Sequence, residues 1–135
     1  MTKSLAGALV AAVALLVLGC TKSSDEGGGT GKESFRIVVP TMASEVKQGE
    51  VVTVRVAIER GGAFKQAVKL EVKAPSGLSV EPKTTTVDPG DKGDIQLKIT
   101  AAKDAALGEQ KIFVRGTPDQ GVPTESDFKI KVIAK

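Results

Sequence analysis

Val51-Val52-Thr53-Val54-Arg55-Val56-Ala57-Ile58-Glu59 sets Val52, Val54, Val56 and Ile58 against Thr53, Arg55, Ala57 and Glu59. A period of two places one set on each side of an extended chain, so the stretch reads as a half-buried β-strand. The pattern returns as Val68, Leu70 and Val72 between Lys69, Glu71 and Lys73, then at Ile95, Leu97 and Ile99, at Ile112 and Val114, and at Phe128, Ile130 and Val132. Gly61-Gly62, Pro75-Ser76-Gly77, Asp88-Pro89-Gly90-Asp91, Gly116-Thr117-Pro118 and Gly121-Val122-Pro123 lie between these runs. Such residues supply turn dihedrals or withhold ladder donors.

The spacing predicts an all-β protein: an Ig-like Greek-key β-sandwich of about seven strands over residues 33–135. The expected strands are 35–39, 51–59, 67–73, 78–80 continued by 84–87, 93–100, 110–115 and 126–133. Inward Val, Ile and Leu, with Phe35, Phe64 and Phe128, form a core that needs no disulfide. Only 101–107 (AAKDAAL) has helical character, enough for a turn or two before Gly108.

The chain has 135 residues, 19 Lys plus Arg, 16 Asp plus Glu, one Cys, and no His, Trp or Tyr. The length suits one domain. Without imidazole, the commonest general base and the Ser-His and Cys-His nucleophile pairs are missing. No Ser-x-x-Lys stands in a suitable context either, so an enzyme is not expected, and no cofactor or small-molecule substrate is implied. The scarcity of aromatics removes the platforms on which bases stack, which argues against nucleic acid.

Residues 1–19 differ from the rest. Lys3 precedes an uncharged apolar run, Leu5 to Leu18, that ends at Gly19-Cys20. As a helix that run would be about 21 Å long, short of the ~30 Å hydrocarbon core, and it reads as a signal peptide. Val17-Leu18-Gly19-Cys20 resembles the lipobox of bacterial lipoproteins. The resemblance implies cleavage between Gly19 and Cys20, lipidation of the Cys20 thiol, and a domain tethered to the membrane through covalent lipid in the bacterial cell envelope. Thr21 in place of Asp favours the outer membrane in a Gram-negative cell, with the domain in the periplasm or at the cell surface. Unprocessed, Cys20 would be a plain thiol in an uncleaved anchor. Residues 20–32 then read as the lipidated Cys and a flexible Gly/Ser linker, because 21–32 (TKSSDEGGGTGK) has no aliphatic residue to offset its ordering entropy.

A second resemblance spans the domain. Gly62-Ala63-Phe64, Val68 to Val72, Pro75-Ser76-Gly77-Leu78-Ser79-Val80-Glu81-Pro82, and Gly108 through Ile112-Phe113-Val114 to Gly116-Thr117 resemble bacterial Ig-like domains, including the NEW3-type modules attached to some glycosidases. Such domains often carry Tyr early in the penultimate strand; here Gln110 or Lys111 stands in that region, so a tyrosine corner is not expected. The resemblance implies a non-catalytic interaction or structural module.

Three candidate sites follow. If the third, sixth and seventh strands share a sheet, Lys69, Glu71, Lys73, Lys111, Phe113, Arg115, Lys129 and Lys131 point outward together, six basic and one acidic. On a mature chain of about +2, which is +3 less Lys3, this is a local patch. As a binding face it would meet an anionic polymer such as a glycan, phospholipid headgroups, or an acidic envelope protein, with Phe113 as an apolar contact. The alternative is a solvated face whose lysines discourage aggregation. The loop 88–94 spaces Asp88, Asp91 and Asp94 at intervals of three, and a short acidic loop with glycines could wrap calcium, but it lacks EF-hand order and holds Lys92; it reads as a turn, and no metal is expected. The loop 116–125 is a long Gly- and Pro-rich connection, read as a hairpin crossing that can also serve as a contact.

Overall fold

The computed structural model describes residues 21–135; the expected signal peptide, residues 1–19, and the expected lipidation site, Cys20, lie outside the described residues. Eleven strands follow one another: β1 (Thr21–Ser23), β2 (Gly27–Gly28), β3 (Ser34–Pro40), β4 (Ser44–Lys47), β5 (Val51–Arg60), β6 (Val68–Lys73), β7 (Leu78–Glu81), β8 (Thr84–Val87), β9 (Asp94–Ala101), β10 (Gly108–Pro118) and β11 (Thr124–Ile133). They form two sheets, β1-β3-β5-β9-β7 with β2 also on β3, and β4-β11-β10-β6-β8. The chain is a β-sandwich of Ig-like type.

The sevenfold plan survives because two strands break and change sheets. β3 pairs with β5 in one layer, whereas β4 runs parallel to β11 in the other. β7 pairs with β9, and β8, only a few residues later, pairs with β6. The sequence pattern joins 78–80 and 84–87 as one strand, and the break at Pro82-Lys83 sends its halves to opposite layers. β4 was not expected: in Ser44-Glu45-Val46-Lys47 only Val46 faces inward, too short an alternation to register.

The alternating residues meet between the sheets. Val54, Val56 and Ile58 of β5 are buried with Leu97 and Ile99 of β9, and oppose Ile112, Val114, Phe128, Ile130 and Val132. Phe35, Phe64 and Phe128 are also buried, as their volume requires.

Two expectations are corrected. Residues 101–107 form no helix. Seven residues cannot sustain one alone, and their backbone groups go elsewhere: Ala102 N–H donates to the Gly77 carbonyl at 2.8 Å, and the Ala105 carbonyl accepts from Gln48 Nε2 at 2.7 Å. Ala105 is tucked into the core as the plug of that end.

Nor is the segment after Cys20 a free coil. β1 pairs with β3, Thr21 opposite Pro40 and Ser23 opposite Val38. β2 pairs with the start of β3, and a 3₁₀ turn, Gly31–Glu33, leads into it. The segment orders through hydrogen bonds rather than apolar burial. Ser24 N–H donates to the Ile37 carbonyl at 2.8 Å, and Ser24 Oγ accepts from Ile37 N–H at 2.9 Å. Thr124 Oγ1 donates to the Asp25 carbonyl at 2.9 Å, and Ser34 Oγ to the Gly31 carbonyl at 2.6 Å. Ser24, Ser34 and Thr124 are the buried polar side chains of the described residues, and all three serve this segment. Two of its glycines stand against rings: a Cβ on Gly27 would be 2.7 Å from Phe35 Cε1, and one on Gly28 2.8 Å from Phe64 Cε1.

Candidate functional site

The third, sixth and seventh expected strands do lie side by side, in the order β11-β10-β6. Lys69, Lys73, Lys111, Phe113, Arg115, Lys129 and Lys131 are exposed on their outer face, with Glu71 half-buried among them. The register adds carboxylates, because cross-strand partners share a face. Lys131 stands opposite Glu109 and Glu45, Arg115 opposite Glu71 and Glu125, and Phe113 between Lys73 and Asp127. The basic patch of the sequence reading is therefore corrected: five carboxylates stand among its six cations. Lys129 Nζ lies 3.7 Å from Glu109 Oε1, and Asp127 Oδ1 is engaged by Lys22 Nζ from β1 at 3.1 Å. Three of the acids, Glu45, Glu109 and Glu125, sit on β4 or beyond the expected strand ends, where the period-two pattern gave no sign of them. Lys111 opposite Lys129 is the like-charged pair that remains, with Lys69 and Lys73 on the flank.

The carboxylates of the loop 88–94 do not converge. Asp91 Oδ2 accepts from Asp88 N–H at 3.0 Å, closing the turn, while Asp94 Oδ2 meets Arg55 Nη2 at 2.7 Å. What the loop does hold is Arg60, whose Nη1 donates to the Gln66 carbonyl and whose Nη2 donates to the carbonyls of Val87 at 2.8 Å and Asp88 at 3.2 Å. The guanidinium stacks 5.4 Å from the centre of the Phe64 ring. Burial draws the Arg60 pKa below its usual value, against the opposing pull of Asp91 and Asp88. Arg60 thus ties the loop 61–67 to the loop that follows β8 and is a structural arginine.

Those loops belong to one end of the sandwich, which we call the Ser34 end after the start of β3. There Gly61 N–H donates to the Ser34 carbonyl at 2.8 Å, Ala63 N–H to the Lys32 carbonyl at 2.9 Å, and Gly28 N–H to the Val122 carbonyl at 2.7 Å. Gly28 and Gly121 have φ of +80° and +108°, and a Cβ on Gly121 would collide with the Gly28 carbonyl, so the two backbones touch where side chains do not fit. A cavity of about 410 Å³ opens between the N-terminal glycines, Phe64 to Gln66, and Gln120-Gly121 of the loop 116–125. Glu33, Lys65, Gln66 and Gln120 bring polar groups of both signs to it, and Gln66 Oε1 accepts from Gln120 N–H at 2.6 Å, tying its two walls. The sequence signal for this opening was split between a loop singled out as a contact and a segment read as a tether.

No family model and no curated protein matches this sequence. Among solved structures, WR4, an MSP family member of Caenorhabditis elegans, superposes with a TM-score of 0.53 at 17% identity, over 67% of this chain and 92% of that one. Domains 4 and 5 of the S-layer protein SbsC give 0.47 at 17% identity, over 73% of this chain and 51% of that one. SSP-19, an MSP-domain-like protein of Caenorhabditis elegans, gives 0.42 at 16% identity, over 66% and 94%. The WR4 likeness places the chain in the class of two-layered β-sandwich domains, and at that identity it speaks to fold alone.

Proposed function

We propose that this chain is a small bacterial envelope lipoprotein, anchored through acylated Cys20, whose single Ig-like sandwich is a non-catalytic interaction module working through the loops of the Ser34 end. The observation that supports this most directly is the opposition of two features along β3. β1 carries the chain in from the Pro40 end, whereas the cavity opens at the other. A module held at one end presents its other end to partners. The chain has no His, and the carboxylates of Asp91 and Asp94 are taken by the Asp88 N–H and by Arg55, so the 88–94 loop offers no converged acid pair for hydrolysis. The partner that fits best is an envelope protein, since a mixed polar cavity beside exposed Val122 suits a protein surface better than a uniformly charged polymer. The reading of the Lys-rich face as a seat for anionic glycan has less support, because carboxylates stand among its cations.

A photoreactive residue placed at Gln120 and, separately, at Lys111 tests the reading in intact cells. Discrete protein adducts from Gln120 and none from Lys111 are expected; adducts from Lys111 alone would move the contact to the sheet face and overturn it. Mass spectrometry of the same membrane-extracted chain should find residues 1–19 removed and a diacylglycerol on Cys20. An intact leader with a free thiol would sink the anchor.

A further inference from the structure

The structure leaves almost no slack between the proposed anchor and the domain. Thr21, the residue bonded to Cys20, is already in β1, opposite Pro40, so a single peptide bond joins the proposed anchor to the sandwich. A free coil over 21–32 would instead reach on the order of 20 Å. β1 runs antiparallel to β3, and traced back from Ser23 to Thr21 it heads toward the Pro40 end.

That end has a distinctive surface. Five large apolar side chains of the described residues are exposed, and three of them are here: Met42 after β3, Val51 at the start of β5 and Leu107 before β10. Of the others, Phe113 lies on the sheet face and Val122 at the Ser34 end. The loops beneath are firm. Gly49 N–H donates to the Ala101 carbonyl at 2.9 Å, Ala101 N–H to the Glu50 carbonyl at 3.0 Å, and Gln48 N–H to the Ile133 carbonyl at 3.1 Å. Lys47 at the end of β4 and Lys103 are balanced by Glu50 and Asp104 close by in the chain, so the surface is apolar and nearly neutral, with long lysines able to lie alongside the headgroups.

We propose that the domain is seated directly on the lipid bilayer by the end that carries Met42, Val51 and Leu107, instead of floating on a tether. The seat rests on the lipidation of Cys20 proposed above. Acyl chains entering the membrane beside Met42 draw that end into the headgroup layer, and the nearby apolar side chains gain by leaving water. Because the surface is close to neutral, the seat depends little on anionic lipid or salt. The cavity at the Ser34 end is then held at a set height and points away from the membrane.

The test uses the full chain, processed in cells and reconstituted into phosphatidylcholine vesicles that contain a headgroup-attached quencher. A fluorophore is placed on Met42→Cys, Leu107→Cys or Gln120→Cys. Quenching at positions 42 and 107 should exceed that at 120 by roughly threefold or more, as expected for an end lying within the headgroup layer. Replacing a tenth of the lipid by phosphatidylglycerol should leave that ratio unchanged. Equal quenching at all three positions would overturn the seat while leaving the anchor standing. The mass of the same sample reports the anchor separately: an unmodified Cys20 would remove the anchor, and the seat with it.

Discussion

Residues 51–60 and 21–33 lie in the same sheet, both within reach of β3, and they are ordered by opposite means. β5 buries Val54, Val56 and Ile58 and would be recognised as a strand in isolation. The N-terminal segment buries Ser24 and Gly27, has no aliphatic residue, and is held by main-chain and hydroxyl hydrogen bonds to β3 and β11. Composition tells whether a segment can order itself by burying apolar surface. It does not tell whether a finished sheet edge offers that segment a ladder.

The difference can be probed by substitutions of graded effect, each read as the shift in urea midpoint at constant slope. Ile58→Ala removes apolar volume from the core and should cost about 2–5 kcal/mol, the largest loss of the set. Gly27→Ala places a methyl 2.7 Å from the Phe35 ring and 3.0 Å from Thr124 Cγ2; it should cost about 1–3 kcal/mol by overpacking. A change within about 0.3 kcal/mol there would return the segment to a free coil. Ser24→Ala strips the buried Ile37 N–H of its acceptor and should cost about 1 kcal/mol. Lys22→Ala cuts the exposed pair with Asp127 and should change stability by less than about 0.5 kcal/mol, the smallest effect. If Ser24→Ala proved silent while Lys22→Ala did not, charge rather than backbone pairing would hold the segment.

Legibility tracked the kind of force at work. The inward positions of β5, β6, β9, β10 and β11 were readable because apolar burial leaves a periodic mark on consecutive residues. β4 was not, since its four residues carry one inward Val and its partner β11 lies far along the chain. The Lys-rich face was read as basic because its cations fall within the alternating runs. Glu45, Glu109 and Glu125, which offset them, are set beside those cations by register alone. The cavity at the Ser34 end was legible only in pieces for a related reason. Its walls come from residues 28–33, 63–66 and 120–121, and no local pattern says that such loops will meet.

From the residue order alone came the two-layered β-architecture and the identity of the core, both of which depend on near neighbours in the chain. The closure of the N-terminal segment onto β3, the pairing of charges across β10 and β11, and the opposition of chain entry and cavity belong to the folded molecule. They arise from contacts between residues tens of positions apart, and hydrogen bonds and charge pairs of that range exist only once the sheets have brought their partners within about 3 Å.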